Sequence, residues 1–185
     1  MGGRQIPLAL PKEVWRMVDH IYRVGLGTPN LFARGSVSEL EAEAARECLD
    51  TGDSFERRGV SVHGVADTLL RYLECLPESV VPQRLFWECV EAGGSRAAAY
   101  AFAAERLPAV HYNVFYYLMS FVREAVGRST ENGLTPERAA AIFSSVLLRT
   151  PDLPEGRTDW ACKRKSEFVM HFLTPLSLSQ AHNVN

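Results

Sequence analysis

The chain has 185 residues and no run of about 18 apolar residues, the length a helix needs to cross a bilayer, so no transmembrane segment is expected. The opening stretch Met1-Gly2-Gly3-Arg4-Gln5-Ile6-Pro7 lacks the apolar core of a signal peptide. Positive charge is not in excess: 20 Lys and Arg stand against 22 Asp and Glu, for a formal net charge of −2. A nucleic-acid partner is therefore not expected, since phosphate recognition needs a basic surplus. Cysteine is scarce. Cys48, Cys75, Cys89 and Cys162 show none of the close pairing that a zinc site uses, so no metal is expected. They read as free thiols in a reducing cytosol, three of them inside helical patterns where Cys acts as a small hydrophobe. The five histidines, His20, His63, His111, His171 and His182, include no HExxH pair, and no local signature marks a Cys–His nucleophile. Walker, GxGxxG, GxSxG and kinase motifs are all missing, so no nucleotide or other cofactor is expected.

What is present is ordinary globular composition, 46% hydrophobic and 23% charged, at a length that suits one domain. Almost every apolar pattern has the helical period. Val14, Trp15, Val18, Ile21 and Tyr22 follow i, i+3, i+4, i+7 after Pro11. Ser38 and Glu41 form a capping box ahead of an Ala/Glu-rich helix ending near Leu49, and the polar residues 50–60 read as a loop. Ser61 caps a helix with the stripe Val62, Val65, Ala66, Leu69, Leu70, Leu73 and Leu76, which Pro77 stops. Pro82 opens a short helix broken at Gly93-Gly94, and Ser95–Arg106 is an alanine-rich one. Pro108 opens the most apolar helix, carrying Val110, Val114, Phe115, Leu118, Met119, Phe121 and Val122, which is predicted to be central. Residues 127–134 read as a turn, Thr135 and Pro136 start another helix, and a last one over 159–173 carries Trp160, Phe168, Val169 and Phe172. About eight helices and no strand predict an all-α domain. Glu39, Glu41 and Glu43 ahead of Arg46, and the cluster Lys163-Arg164-Lys165, read as solvated helix faces.

Four stretches then carry a resemblance: Leu10 to His20 (LPKEVWRMVDH), Val65 to Glu78 (VADTLLRYLECLPE), Leu107 to Glu124 (LPAVHYNVFYYLMSFVRE) and Thr135 to Arg149 (TPERAAAIFSSVLLR). In that order and at that spacing they resemble a RhoGAP domain. In wording they resemble the RhoGAP-like domain of the Lowe-syndrome and type II inositol polyphosphate 5-phosphatase family. The resemblance covers roughly residues 8–175, and the phosphatase motifs themselves are absent. The implied layout is a tail at 1–9, a RhoGAP-like all-helical domain at 10–175 and a polar tail at 176–185.

The resemblance also implies where catalysis would sit. A RhoGAP domain supplies an arginine in trans to the charge that develops on phosphate during GTP hydrolysis, worth about 10³–10⁵ in rate, or roughly 4–7 kcal/mol. Active members place that arginine directly after a Phe. Here the stretch is Asn30-Leu31-Phe32-Ala33-Arg34-Gly35, so the finger position is Ala33 and Arg34 comes one residue late. The family's supporting lysine falls at Leu70, with Arg71 about 100° further round the helix, and its asparagine after Thr-Pro-Glu falls at Arg138. No catalytic residue is expected on this reading, and the chain is not expected to be an enzyme. The alternative is an active GTPase activator that uses Arg34.

The resemblance implies instead a binding module. Its partners are Rho-family small GTPases such as Rac or Cdc42, bound weakly, and endocytic adaptor proteins carrying a Phe-and-His peptide. Trp15 and Asp19, at i and i+4, share a helix face and match the family's peptide contacts: an aromatic ring can pack a Phe while a carboxylate accepts from a His. A monomer in the cytoplasm, peripheral to endosomal and Golgi membranes and serving trafficking and signalling, completes the expectation.

Overall fold

The structure, a computed structural model, describes residues 10–35, 37–152 and 156–174. The tails expected at 1–9 and 176–185 lie outside the described residues.

The all-α expectation holds, with no strand among the described residues. The helices are α1 (Lys12–Val24), α2 (Glu39–Thr51), α3 (Val62–Cys75), α4 (Phe86–Ala92), α5 (Arg96–Arg106), α6 (Ala109–Gly127), α7 (Ser129–Asn132), α8 (Pro136–Leu147) and α9 (Thr158–Leu173). The ninth arises because part of the stretch read as a turn, Ser129–Asn132, closes one helical turn. The Pro82 segment begins as a 3₁₀ turn over Gln83–Leu85 before α4.

Start signals act as their chemistry requires. Ser61, Ser95 and Thr135 each accept from the backbone N–H three residues on, at 3.1, 3.2 and 3.3 Å. Ser38 does the same for Glu41 at 3.2 Å. The second half of that capping box is put to other use: the Glu41 carboxylate accepts from the Ser61 N–H at 2.9 Å, joining the starts of α2 and α3. Glu39 likewise reaches Arg71 of α3 at 3.5 Å. The acidic run is therefore partly a cross-brace rather than a solvated face.

α6 is central, as its apolarity predicts. Phe115 meets Phe168 and Phe172 of α9 at 5.6 and 5.0 Å between ring centroids, and Phe102 of α5 meets Phe168 at 5.6 Å. The predicted apolar stripes are wider than the arcs that pack. In α1 only Val14, Met17, Val18, His20 and Ile21 are buried, while Trp15 and Tyr22 are 50% and 53% exposed. Val110 and Trp160 are exposed as well. Lys165 departs the other way. It is buried, and its Nζ donates to Thr150 Oγ1 at 3.1 Å, so the basic cluster is not a uniformly solvated face.

Candidate functional site

The loop after α1 is wound tightly. Thr28, Leu31 and Ala33 each donate a backbone N–H to the carbonyl three residues earlier, at 3.0, 3.2 and 2.9 Å. Asn30 and Phe32 both lie in the left-handed region, at φ 57° and 62°. That conformation is unfavourable for a bulky side chain. Burial holds Phe32 there: its ring packs edge-on against Phe143 of α8 at 5.1 Å and Phe121 of α6 at 6.2 Å. The loop tip is thus levered from the core, and the chain surfaces at Ala33 and Arg34.

A second clamp fixes the loop's base. Asn132, fully buried at the end of α7, donates through Nδ2 to the carbonyls of Leu26 (2.7 Å) and Ala125 (2.8 Å). Its Oδ1 accepts from the Leu134 N–H at 2.7 Å. The sequence marked Asn132-Gly133 only as turn chemistry. An asparagine ahead of a left-handed glycine (Gly133, φ 71°) does not reveal that its side chain points inward.

The three positions that the resemblance reads as altered lie as follows. Ala33 offers a methyl group. Arg34, exposed, pairs with Glu74 of the last turn of α3. Leu70 is 2% exposed and belongs to the core with Leu69 and Leu73, so a charged group there would have no water. Arg71 points to the surface, where Asp67 (2.6 Å) and Glu39 (3.5 Å) hold it. Arg138 is half-buried in the first turn of α8, and its side chain makes no ion pair among the described residues. Arg149, which the sequence pattern does not single out, is structural: its guanidinium donates to the carbonyls of Glu74 at 2.7 Å and of Leu76, closing the end of α3.

The α1 pair is brought together as its spacing predicts. Trp15 and Asp19 line a hollow of about 200 Å³ with His20, Phe55 and Glu56. Arg16 holds its far wall. It donates to the carbonyls of Cys48 (2.8 Å), Leu49 (3.3 Å) and Asp53 (2.5 Å) and lies 5.5 Å above the Phe55 ring. Asp19 Oδ2 accepts from Arg23 at 2.8 Å, which leaves acceptor capacity on the other oxygen. His20 is buried beneath, edge-on to Phe55 at 5.2 Å, with Nδ1 3.6 Å from Glu56. Burial pulls its pKa below the ordinary value, against the opposing charge of Glu56.

Burial likewise pushes the Cys48 and Cys89 thiols above their ordinary range, which makes both poor nucleophiles. Among the described residues no three His, Cys, Asp or Glu side chains gather as metal ligands.

One loop, braced by the Phe32 ring and the Asn132 clamp, leaves this helical core beside the end of α3. The chain belongs to the RhoGAP domain family, whose model matches residues 11–152. Among particular proteins, it is 39% identical over 168 residues to the type II inositol 1,4,5-trisphosphate 5-phosphatase of Mus musculus, a match covering 90% of this chain and 16% of that protein. It is 31% identical over 151 residues to Rho GTPase-activating protein 24 of Homo sapiens, covering 75% of this chain and 20% of that one. The chain therefore spans only a small part of the curated relatives it matches. Among solved structures, human Rho GTPase activating protein 15 superposes with a TM-score of 0.78 at 17% identity, over 88% of this chain and 80% of its own. The BH domain from Graf, the GTPase regulator associated with focal adhesion kinase, gives 0.75 at 15% identity, over 87% and 88%. No described helix is long and apolar enough to cross a membrane.

Proposed function

We propose that this chain is a non-catalytic RhoGAP-like interaction module. It docks weakly on Rho-family GTPases through the Phe32 loop, and binds Phe-and-His peptides of endocytic adaptors through Trp15 and Asp19. It acts as a monomer in the cytoplasm, at the surface of endosomal and Golgi membranes. The observation that carries the first half is the methyl group of Ala33 at the loop tip, with Leu70 sunk in the core where a supporting charge would stand. Removing one preorganised donor from such a site costs about two to three orders of magnitude in rate.

A second reading, activation through Arg34, draws support from one fact. Its pair with Glu74 is solvent-exposed, and exposed pairs hold a side chain with only about 0–1 kcal/mol. Against it, moving Arg34 onto a phosphate leaves the Glu74 carboxylate close to the same negative charge.

Single-turnover GTP hydrolysis by Rac, with and without the domain, separates the two. The expected result is less than about tenfold acceleration, set against the roughly 10³–10⁵ of a working finger. Larger acceleration that disappears in Arg34→Ala refutes the non-catalytic reading. For the peptide site, Trp15→Ala should leave the fold intact, because the ring is half exposed, and abolish binding of a Phe-and-His peptide in calorimetry. Unchanged affinity refutes that assignment.

A further inference from the structure

A second hollow, of about 300 Å³, lies between α1 and α6. Asp19 is the one residue it shares with the Trp15 hollow. The buried side chains of Phe121 and Val18 line it together with Tyr22 and Tyr117, and Asp19, Ser120 and Glu124 complete the lining. The electrostatics are one-sided. Two carboxylates border the hollow and no Lys or Arg lines it. Asp19 spends one oxygen on Arg23, and Glu124 has no ion-pair partner among the described residues. Burial and the charge of Asp19 push the Tyr117 hydroxyl above its ordinary pKa, so it stays a neutral donor beside that carboxylate.

Aromatic faces beside one unpaired carboxylate, Glu124, and the free oxygen of a second, Asp19, attract an organic cation. A guanidinium suits both at once: its plane stacks on a tyrosine ring while its fork of donors meets a carboxylate, and it loses little hydration on entry. An ammonium carries the charge without the plane. Asp19 and Glu124 belong to no group of three His, Cys, Asp or Glu side chains that could hold a metal ion among the described residues.

We propose that the α1–α6 hollow is a binding site for an arginine side chain presented by a protein partner. The site is distinct from the Phe32 loop, and shares with the proposed peptide contact only Asp19. Arginine at this point of a partner is a specificity requirement that the Trp15 hollow does not impose.

The test uses the whole chain and three probes: N-acetyl-arginine amide, its neutral citrulline counterpart, and tetramethylammonium chloride. Nitrogen-15 amide spectra are recorded through each titration. Arginine amide should give saturable shifts centred on Tyr22, Tyr117, Ser120 and Glu124, and citrulline amide should give none. Glu124→Gln and Tyr22→Ala, both at exposed side chains, should each weaken binding by about fivefold, the scale of one partly exposed ion-pair or cation–π contact. Citrulline amide binding as well as arginine amide, shifts that never saturate, or an unaltered affinity in Glu124→Gln overturns the proposal. Tetramethylammonium binding more tightly than arginine amide overturns the choice of arginine. Trp15→Ala should leave the arginine titration unchanged, so loss of the peptide reading and loss of this site are told apart.

Discussion

Replacing Asn132 with alanine should be among the most damaging single changes to this domain. The side chain is fully buried and makes three short hydrogen bonds to the backbone. The Ala125 carbonyl keeps a second donor, the Arg128 N–H at 3.1 Å, and so survives the change. The Leu26 carbonyl and the Leu134 N–H do not: each loses the Asn132 amide as its partner and stays buried. An unsatisfied buried group costs about 1–3 kcal/mol, and the vacated volume adds to this, so the loss should be about 3–5 kcal/mol. That is a large share of the ~5–15 kcal/mol that holds a typical domain together. For a chain of this length it corresponds to a fall of roughly 10 °C in Tm. Urea unfolding followed by circular dichroism measures it, with the m-value expected to be unchanged. Asn132→Asp should do at least as badly, because it turns a carboxylate oxygen toward two carbonyls. A loss below about 1 kcal/mol, or an Asp variant as stable as the parent, would refute the clamp. Because one of the freed groups is at Leu26, amide exchange across residues 27–34 should also accelerate in Asn132→Ala.

The remaining predictions concern other buried groups. Leu70→Lys should destabilise the fold by about 3–5 kcal/mol, since a lone charge in the core has no partner, and should not raise GTPase activation. A soluble, equally stable Leu70→Lys variant in urea unfolding would show that this position is not core. His20 should make stability depend on pH. Its folded pKa lies below 6.5 because burial disfavours the charged form, so the unfolded chain binds the extra proton. The stability it contributes is complete above about pH 6.5 and is lost as pH falls below that value. Unfolding free energies at about pH 7.5 and about pH 5.5 should differ less in His20→Gln than in the parent, and equal differences would rule out the assignment.

The fold class and most helix starts were legible because they rest on local chemistry. Ser61, Ser95 and Thr135 cap as their positions require, and helical periodicity identified α3, α6 and α8. What periodicity could not give was the width of the buried arc. Trp15 and Tyr22 fit an apolar stripe as well as Val14 and Ile21 do, and only the placement of α3 and α6 around α1 decides which side chains meet a neighbour. Long-range polar pairings were equally hidden. Nothing within a few residues of Glu41 announces that its partner is the Ser61 N–H, and nothing near Arg149 announces the end of α3. The two hollows flanking Asp19 join α1 to segments about 35 and about 100 residues away, a separation that single-sequence reasoning does not bridge.

The loop site has two kinds of residue, and they are under different constraints. Phe32, Leu31, Asn132 and Leu70 are fully or almost fully buried, so altering them alters the fold. Ala33, Arg34 and Arg138 sit at the surface or half-way to it, where a change of side chain costs the core little. On the proposed reading, the RhoGAP scaffold has shed its chemistry at exposed positions while Phe32 still levers the loop into shape. Leu70 is the exception that makes such a loss hard to reverse. The resemblance puts the family's lysine at this position, yet Leu70 packs with Leu69 and Leu73, and a lysine there would strip charge of water inside the domain. Returning a guanidinium at residue 33 would restore the tip of the site without the charge behind it, so on the proposed reading a single Ala33→Arg change falls short of a working activator.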